Sequence, residues 1–309
     1  MRARSYLLIR SPISAPSLAS FDIIVPTYNR SKTLPTFFEK NLSLRDTDVM
    51  FWIVDDCSPE FDKTVYPAWD NLKVSRLPTN IGQAGARNEA IVKGEAPFVI
   101  SLDDDAWFED GEFALTQIRN LFDNNPLAGC IMFNIATPSS NYSTIATGTK
   151  LALHVTCGCA YRRKVLEGVG GFSGFLHSQA EETDLSMRIY ETGYHIIFSQ
   201  EIRVFHNFVP SSRPLSWYLF ARRYTTRNDL LIVAMYYPGV MILPFIIGKF
   251  FSHLRYALNN GISQRQTLAH TAKGFFGFLR LLPMVPKNRK GMTMRQWIEW
   301  RSLFKIPSQ

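Results

Sequence analysis

Cysteine is scarce in this chain, with four residues in 309. That excludes a small secreted scaffold stapled by disulfides. Cys157 and Cys159 stand as C-x-C with no second pair nearby, which argues against a zinc site. Internal repeats and low-complexity tracts are missing, so a repeat architecture is excluded. Charged residues reach only 19% against 46% apolar, which excludes wholesale disorder and leaves apolar side chains for a sizeable core. The N-terminus lacks a signal-peptide pattern, because the apolar run at 6–9 is short and Arg10 interrupts it. Residues 1–19 therefore read as a flexible lead, and the cytoplasm as the compartment.

Acidic residues are nearly missing from the last third. Residues 200–309 carry 16 Lys+Arg against 3 Asp+Glu, a net of +13, whereas residues 1–199 carry 18 against 23, a net of −5. An acidic body suits a bound cation, and a basic, aromatic-rich tail suits anionic lipid or nucleic acid.

What is present is a run of alternating elements. Residues 21–28 (FDIIVPTY) predict a buried strand that stops at Pro26. Residues 31–44 predict a helix with Leu34, Phe37, Phe38 and Leu42 on one face. Strands follow at 50–54, 73–77 and 97–102, with a helix at 83–94 between the last two. This alternation predicts βαβ units and a mostly parallel sheet. Beyond residue 125, strands are expected at 129–133, 154–161, 196–198 and 203–205, and a helix at 181–193. Residues 230–248 (LLIVAMYYPGVMILPFIIG) carry no charge, but Pro238-Gly239 and Pro244 divide them and basic residues flank both ends. Three readings stay open there: a membrane span, two short interfacial helices, or a buried helical pair. The apolar stretch 275–282, followed by Lys287, Arg289, Lys290, Trp297 and Trp300, also fits a membrane-surface face.

The polar residues fall at strand ends. Asn29-Arg30, Asp55-Asp56 and Asp103-Asp104-Asp105 each follow the carboxyl end of an expected strand, the edge at which open α/β sheets bind ligands. Three adjacent carboxylates repel one another unless a cation joins them, and hard oxygen donors favour Mg²⁺ or Mn²⁺; a solvated turn capping the next helix is the alternative. Asp55-Asp56 suits a ribose or a base N–H, or else a turn cap before Ser58-Pro59. Asn80–Asn88 (NIGQAGARN) places small residues, Gly82 among them, at a loop-to-helix junction where backbone can approach an anion, with Arg87 available to a pyrophosphate.

VPTYNR at 25–30, VDDCSP at 54–59, NIGQAGARN at 80–88 and LDDDAWF at 102–108 resemble, in order and spacing, the nucleotide-binding half of family 2 glycosyltransferases of the GT-A fold. GCAYRRKVLEGVGGF at 158–172 resembles that family's acceptor-side segment, and AEETDLSMRIYETGYHI at 180–196 its Glu-Asp-x-Asp-Leu helix. The resemblance, of the bacterial surface-polysaccharide type, covers residues 20–230. It implies a Rossmann-like mixed sheet flanked by helices: a catalytic domain at 20–212, then a helical, membrane-associating tail at 213–309.

It also implies roles. Pro26, Tyr28, Asn29, Arg30, Asp55, Asp56, Gly82, Arg87, Asp103 and Asp104 would bind the nucleotide sugar. Asp105, Asp103 and His206 would hold Mg²⁺ or Mn²⁺. Gly158, Arg222, Arg223 and Arg227 would lie on the acceptor or membrane side. Where the family has Glu-Asp, this chain has Glu181-Glu182, so Glu182 takes the place of the base, one methylene longer, with Glu181 and Asp184 as rivals. The implied reaction is an inverting transfer from a nucleoside-diphosphate sugar, of UDP or dTDP type, to a hydroxyl of a lipid-linked saccharide. The enzyme would sit peripherally at the inner face of the cell membrane, on anionic lipid and without nucleic acid. The alternatives are a catalytically impaired nucleotide-sugar binder or membrane scaffold on the same fold and, fitting poorly, a phosphoacceptor receiver domain.

Overall fold

The structure, a computed structural model, describes residues 19–209, 213–259 and 263–304. Apart from Ala19, the expected lead lies outside the described residues. Two compact units are present: the chain through Phe175 with Leu185–Val209, and Leu176–Asp184 with the chain after Val209. The segment 176–184, read from sequence as part of the catalytic domain, thus groups with the second unit.

The first unit is built on nine strands among the described residues. They are β1 (Phe21–Thr27), β2 (Val49–Asp55), β3 (Leu72–Arg76), β4 (Phe98–Leu102), β5 (Ala106–Phe108), β6 (Ala128–Ala136), β7 (Lys150–Leu151), β8 (Gly158–Arg162) and β9 (His195–His206). The sheet runs β3-β2-β1-β4-β8-β6-β9-β5, with β7 added to β9. Strands β1 to β4 are mutually parallel, while β8 runs antiparallel to β4 and β6, and β5 antiparallel to β9. The sheet is therefore mixed rather than mostly parallel.

Apolar runs bury both faces of the central strands, as parallel strands covered on two sides require. The ladder between β1 and β4 ends at Ile24↔Ser101, before Pro26, which has no N–H to contribute. Helices α1 (Leu34–Lys40), α2 (Gly82–Lys93), α3 (Gly111–Asn124) and α4 (Arg163–Gly168) accompany the sheet. In α3, the Asp110 carboxylate caps the helix by accepting from the Phe113 N–H (3.0 Å), and Ala114, Leu115, Ile118 and Phe122 form its buried face. These join Phe21, Ile23, Phe37, Phe51, Ile100 and Phe133 in one core, each large side chain contributing about 1.5–3 kcal/mol by burial.

A buried ion pair ties β1 to α4. Asp22 accepts from Arg163 (2.6 Å), from the Ala96 N–H (2.8 Å) and from Trp52 Nε1 (2.7 Å). Gly94 makes room for it, since a Cβ there would stand 2.3 Å from the Asp22 carboxylate.

Some elements differ from expectation. Helix α1 stops at Lys40, so Leu42 falls in a separate 3-10 turn and is half exposed. The strands expected at 196–198 and 203–205 are one strand, β9. His154 lies before β8 rather than in it.

Helix α5 (Glu181–Glu191) begins in the second unit and ends in the first. The rest of the second unit is helical: α6 (Leu215–Tyr236), α7 (Gly239–Asn259), α8 (Gln264–Leu281), the short α9 (Val285–Asn288) and α10 (Met294–Ser302). Helices α6, α7 and α8 pack on one another. Gly274 permits a close approach of α8 to α6, where a Cβ would stand 2.5 Å from the Arg223 carbonyl. The uncharged run 230–248 divides at Pro238-Gly239. Leu230–Tyr237 are buried, whereas α7, which contains Pro244, leaves Val240, Leu243, Ile247, Phe251 and Leu258 exposed on one stripe. By length and composition α7 is long and apolar enough to cross a membrane.

Candidate functional site

In the first unit the expected site residues gather where β2, β1 and β4 end side by side. Asp55 and Thr27 face each other in the β1–β2 ladder, and Asp103 follows β4 directly. His206 arrives from another direction: the β5–β9 ladder sets it opposite Ala106, and the Asn207 N–H bonds the Asp105 carbonyl (2.8 Å).

The three consecutive acids divide their tasks. Asp103 receives Arg87 Nη2 on Oδ1 (2.5 Å), and its Oδ2 lies 3.8 Å from His206 Nε2. Asp105 receives Arg30 Nη2 on Oδ2 (3.2 Å), and its Oδ1 lies 3.0 Å from His206 Nε2. Each arginine thus occupies one oxygen of its carboxylate while the other oxygen turns toward the imidazole. Asp104 is buried, accepts from Thr27 Oγ1 (2.7 Å) and sits 3.5 Å from Arg30 Nε. Burial pushes its carboxyl up to about 7, against the pull of Arg30.

One oxygen of each carboxylate thus lies within 3.8 Å of the His206 ring nitrogen, and these donor types fit a hard divalent cation such as Mg²⁺ or Mn²⁺. Asp103, Asp105 and His206 would hold it. Asp104 faces Thr27 and Arg30 instead.

The other expected donor residues lie on the same rim, several as braces. Asp55 accepts from the Ser58 N–H (2.9 Å) and hydroxyl and pairs with Arg76 (3.4 Å). Ser58 Oγ in turn accepts from the N–H of Asn29, whose φ is +55° (2.7 Å). Asp56 takes the Ile81 and Gly82 N–H groups (2.7 and 2.8 Å), closing the loop onto the start of α2. Its carboxyl is raised, chiefly by burial. Pro26 is partly exposed and Tyr28 is 48% exposed. Arg87 corrects an expectation: it is fully buried, bonds Ser101 Oγ (3.1 Å) as well as Asp103, and lies over the Phe172 ring, so it orients a carboxylate rather than reaching for a diphosphate.

Gly158 is buried in β8, where a Cβ would strike Ile135 (2.9 Å), so its smallness serves packing. The basic cluster also differs from expectation. Arg227 donates to the Leu176 carbonyl (2.6 Å) and Asn228 Oδ1 (2.7 Å), and its guanidinium lies over Tyr224. Burial lowers its pKa to about 10. Arg222 bonds Thr226 and His253 and lies over Tyr256. Both face the interior of the second unit, and Arg223 is the exposed member.

The three rival acids sit at the start of α5 within the second unit. Glu181 is fully buried, and Asp184 is buried and accepts from the Tyr236 hydroxyl (2.5 Å). Glu182 is the partly exposed one. The preceding loop is strained, with positive φ at His177, Gln179 and Ala180, none of them glycine. The buried Asn228 side chain latches it, its amide directed at the carbonyls of Leu176 (3.1 Å), Ser178 (2.8 Å) and Gln179 (2.6 Å). Sequence reasoning missed Asn228. Nothing local marks it, since its partners lie about fifty residues upstream.

Comparison with known proteins identifies the family and the fold. The family model "Glycosyl transferase family 2" matches residues 22–178, and "Glycosyl transferase family group 2" matches 105–284. The O-antigen chain rhamnosyltransferase WbaN of Salmonella anatum is 29% identical over 218 residues, which are 62% of this chain and 68% of that protein. The poly(ribitol-phosphate) β-N-acetylglucosaminyltransferase TarS of Staphylococcus aureus is 37% identical over 95 residues, 28% of this chain and only 16% of the relative. In fold, the chain resembles the crystal structure of S. aureus TarS 1-349 with UDP-GlcNAc (TM-score 0.54, 18% identity, 87% of this chain and 92% of that one). It also resembles the mannosyltransferase PcManGT of Pyrobaculum calidifontis with GDP-Man and Mn²⁺ (TM-score 0.57, 15% identity, 97% and 90%). The fold is GT-A.

Proposed function

The chain belongs to glycosyltransferase family 2, and on that premise we propose that it performs a metal-dependent, inverting sugar transfer in bacterial surface-polysaccharide synthesis. The donor is a nucleoside-diphosphate sugar of UDP or dTDP type, and the acceptor is a hydroxyl of a lipid-linked saccharide. The observation that carries this reading is the convergence of one oxygen each from Asp103 and Asp105 on His206, with the other oxygens held by Arg87 and Arg30.

A divalent cation, when bound, supplies charge neutralisation to the departing diphosphate. Asp103, Asp105 and His206 would hold it, while Arg30 and Arg87 hold the other oxygens of the two carboxylates. Pro26 and Tyr28 line the nucleobase side, and Asp56 keeps the loop before α2 closed against it. Glu182 accepts the proton of the acceptor hydroxyl. The acceptor oxygen bonds to the anomeric carbon as the carbon–oxygen bond to the diphosphate breaks, and that bonding pair leaves with the nucleoside diphosphate. One displacement inverts the centre, so no carboxylate nucleophile is required. The relatives' names support a polysaccharide setting, and UDP-GlcNAc and GDP-Man in the structural neighbours support a nucleotide-sugar donor.

The second unit positions the enzyme at anionic lipid. The stripe Val240, Leu243, Ile247, Phe251 and Leu258 supplies apolar area, and the +13 of residues 200–309 supplies attraction to the headgroups.

A screen of nucleotide sugars for transfer and slow donor hydrolysis, with Mn²⁺ or Mg²⁺, tests the reaction. Turnover is expected with a cation and is lost in Asp105→Ala. Full activity in a chelator overturns the metal-dependent reading. Flotation with anionic vesicles is expected and should persist in the presence of polynucleotide. Flotation lost to polynucleotide, or unchanged in Leu243→Glu/Phe251→Glu, overturns the lipid reading.

A further inference from the structure

We propose that Cys157 is a ligand of the divalent cation, giving this chain a cation site with a sulfur donor and a preference for thiophilic ions. The inference rests on the metal-dependent reading above and extends it to a residue to which the resemblance assigns no role.

The placement follows from strand register. The antiparallel β4–β8 ladder pairs Ser101 with Cys159 and Leu102 with Gly158. One step further, Cys157 comes beside Asp103, where β4 ends. Strand β9 delivers His206 to the same point. The Cys157 sulfur, an Asp103 carboxylate oxygen and a His206 ring nitrogen all lie within 4.8 Å of one another. Cys157 is 3% exposed while Asp103 and His206 are partly exposed, so the sulfur forms the floor of the cluster and the oxygen and nitrogen its mouth.

A second group of ligand-type atoms, Cys130, His154 and Cys159, is buried behind it. There His154 already uses both ring nitrogens, on Ser186 Oγ (2.7 Å) and the Tyr161 hydroxyl (2.6 Å). That group is a satisfied core network, whereas the Cys157 group faces the rim where Asp105 also meets His206 (3.0 Å).

Donor type decides the consequence. An all-oxygen site suits Mg²⁺ or Mn²⁺, while imidazole and thiolate move selectivity toward Zn²⁺, Co²⁺ and Cd²⁺. The thiol proton passes to buffer as the ion binds.

The test is titration of the full chain with Co²⁺ in the presence of UDP, read by near-ultraviolet absorption and calorimetry. Wild-type protein is expected to show a thiolate-to-cobalt charge-transfer band. Cys157→Ser should bind Co²⁺ without the band, and Cys57→Ser should keep it. Cys157→Ser should also weaken Cd²⁺ at least about tenfold and Mg²⁺ less than about threefold. Cadmium NMR of the wild-type protein needs no variant and should show a thiolate-shifted resonance. Co²⁺ binding to wild type without the band, or a cadmium resonance typical of oxygen and nitrogen donors alone, overturns this inference and leaves the metal-dependent reading standing. Failure of Co²⁺, Mn²⁺ and Mg²⁺ all to bind overturns both.

Discussion

The carboxylates at the strand ends of the first unit and the loop that presents those of the second are held in different ways. Asp103, Asp104 and Asp105 are fixed by charge, with Arg87 and Arg30 each meeting them at hydrogen-bond or ion-pair distance. The loop that leads to Glu182 is held through its backbone: His177, Gln179 and Ala180 are left-handed, and Asn228 grips the carbonyls of Ser178 and Gln179. The contrast matches the two tasks. A cation-binding acid must stay ionised, and a nearby guanidinium favours that form. A base must gain a proton, and an arginine beside it would oppose that gain. The Asn228 amide adds no charge to the loop before the proposed base.

The sharpest way to break the comparison is Glu182→Gln, which keeps shape and removes the proton acceptor. The rate of transfer should fall roughly 10²–10⁴-fold with nucleotide affinity unchanged by calorimetry. If Asp184→Asn abolishes transfer while Glu182→Gln keeps it, the base is Asp184 and the contrast fails. Asn228→Ala removes the latch without touching a charge. It should lower kcat by about 10²-fold through misplacement of the acid while leaving UDP affinity intact. An unchanged kcat would mean that the loop holds itself.

On the charge-held side, Arg87→Lys leaves a cation but cannot span Ser101 and Asp103 together. Apparent Mn²⁺ affinity should fall roughly tenfold, about the worth of one charge-assisted hydrogen bond. The smallest effect belongs to a group held by neither means. Burial lowers the His154 pKa from 6.5 to about 3, so the folded state keeps it neutral. The unfolded chain therefore binds the extra proton between those values, and stability falls as pH drops through that window. The loss should reach about 1.4 kcal/mol near pH ~5.5, and denaturant midpoints for His154→Gln should show a flatter acid limb.

Much of the first unit was legible because parallel strands buried on both faces leave short apolar runs that stop at an acid. MFWIV before Asp55 and VISL before Asp103 are such runs. Strand β9 was read as two because Gln200 and Glu201 interrupt its apolar pattern, although the backbone pairing continues past them. Asp103 and Asp105 could be read from a strand end, whereas His206 came only through the family resemblance. The task of Arg87 was not legible, because its partners Ser101 and Asp103 are set by the neighbouring strand. Arg222 and Arg227 looked like a surface face for the same reason: the rings and carbonyls that receive them belong to distant segments or to stacking that spacing alone does not reveal.

Pro244 bears on the membrane role proposed for α7. Having no N–H, it gives nothing to the carbonyl of Val240 one turn earlier, and Val240 is 79% exposed. In hydrocarbon that oxygen would need another protein partner, whereas at headgroup depth water can solvate it. The proline thus favours a helix lying along the leaflet over one threaded through it.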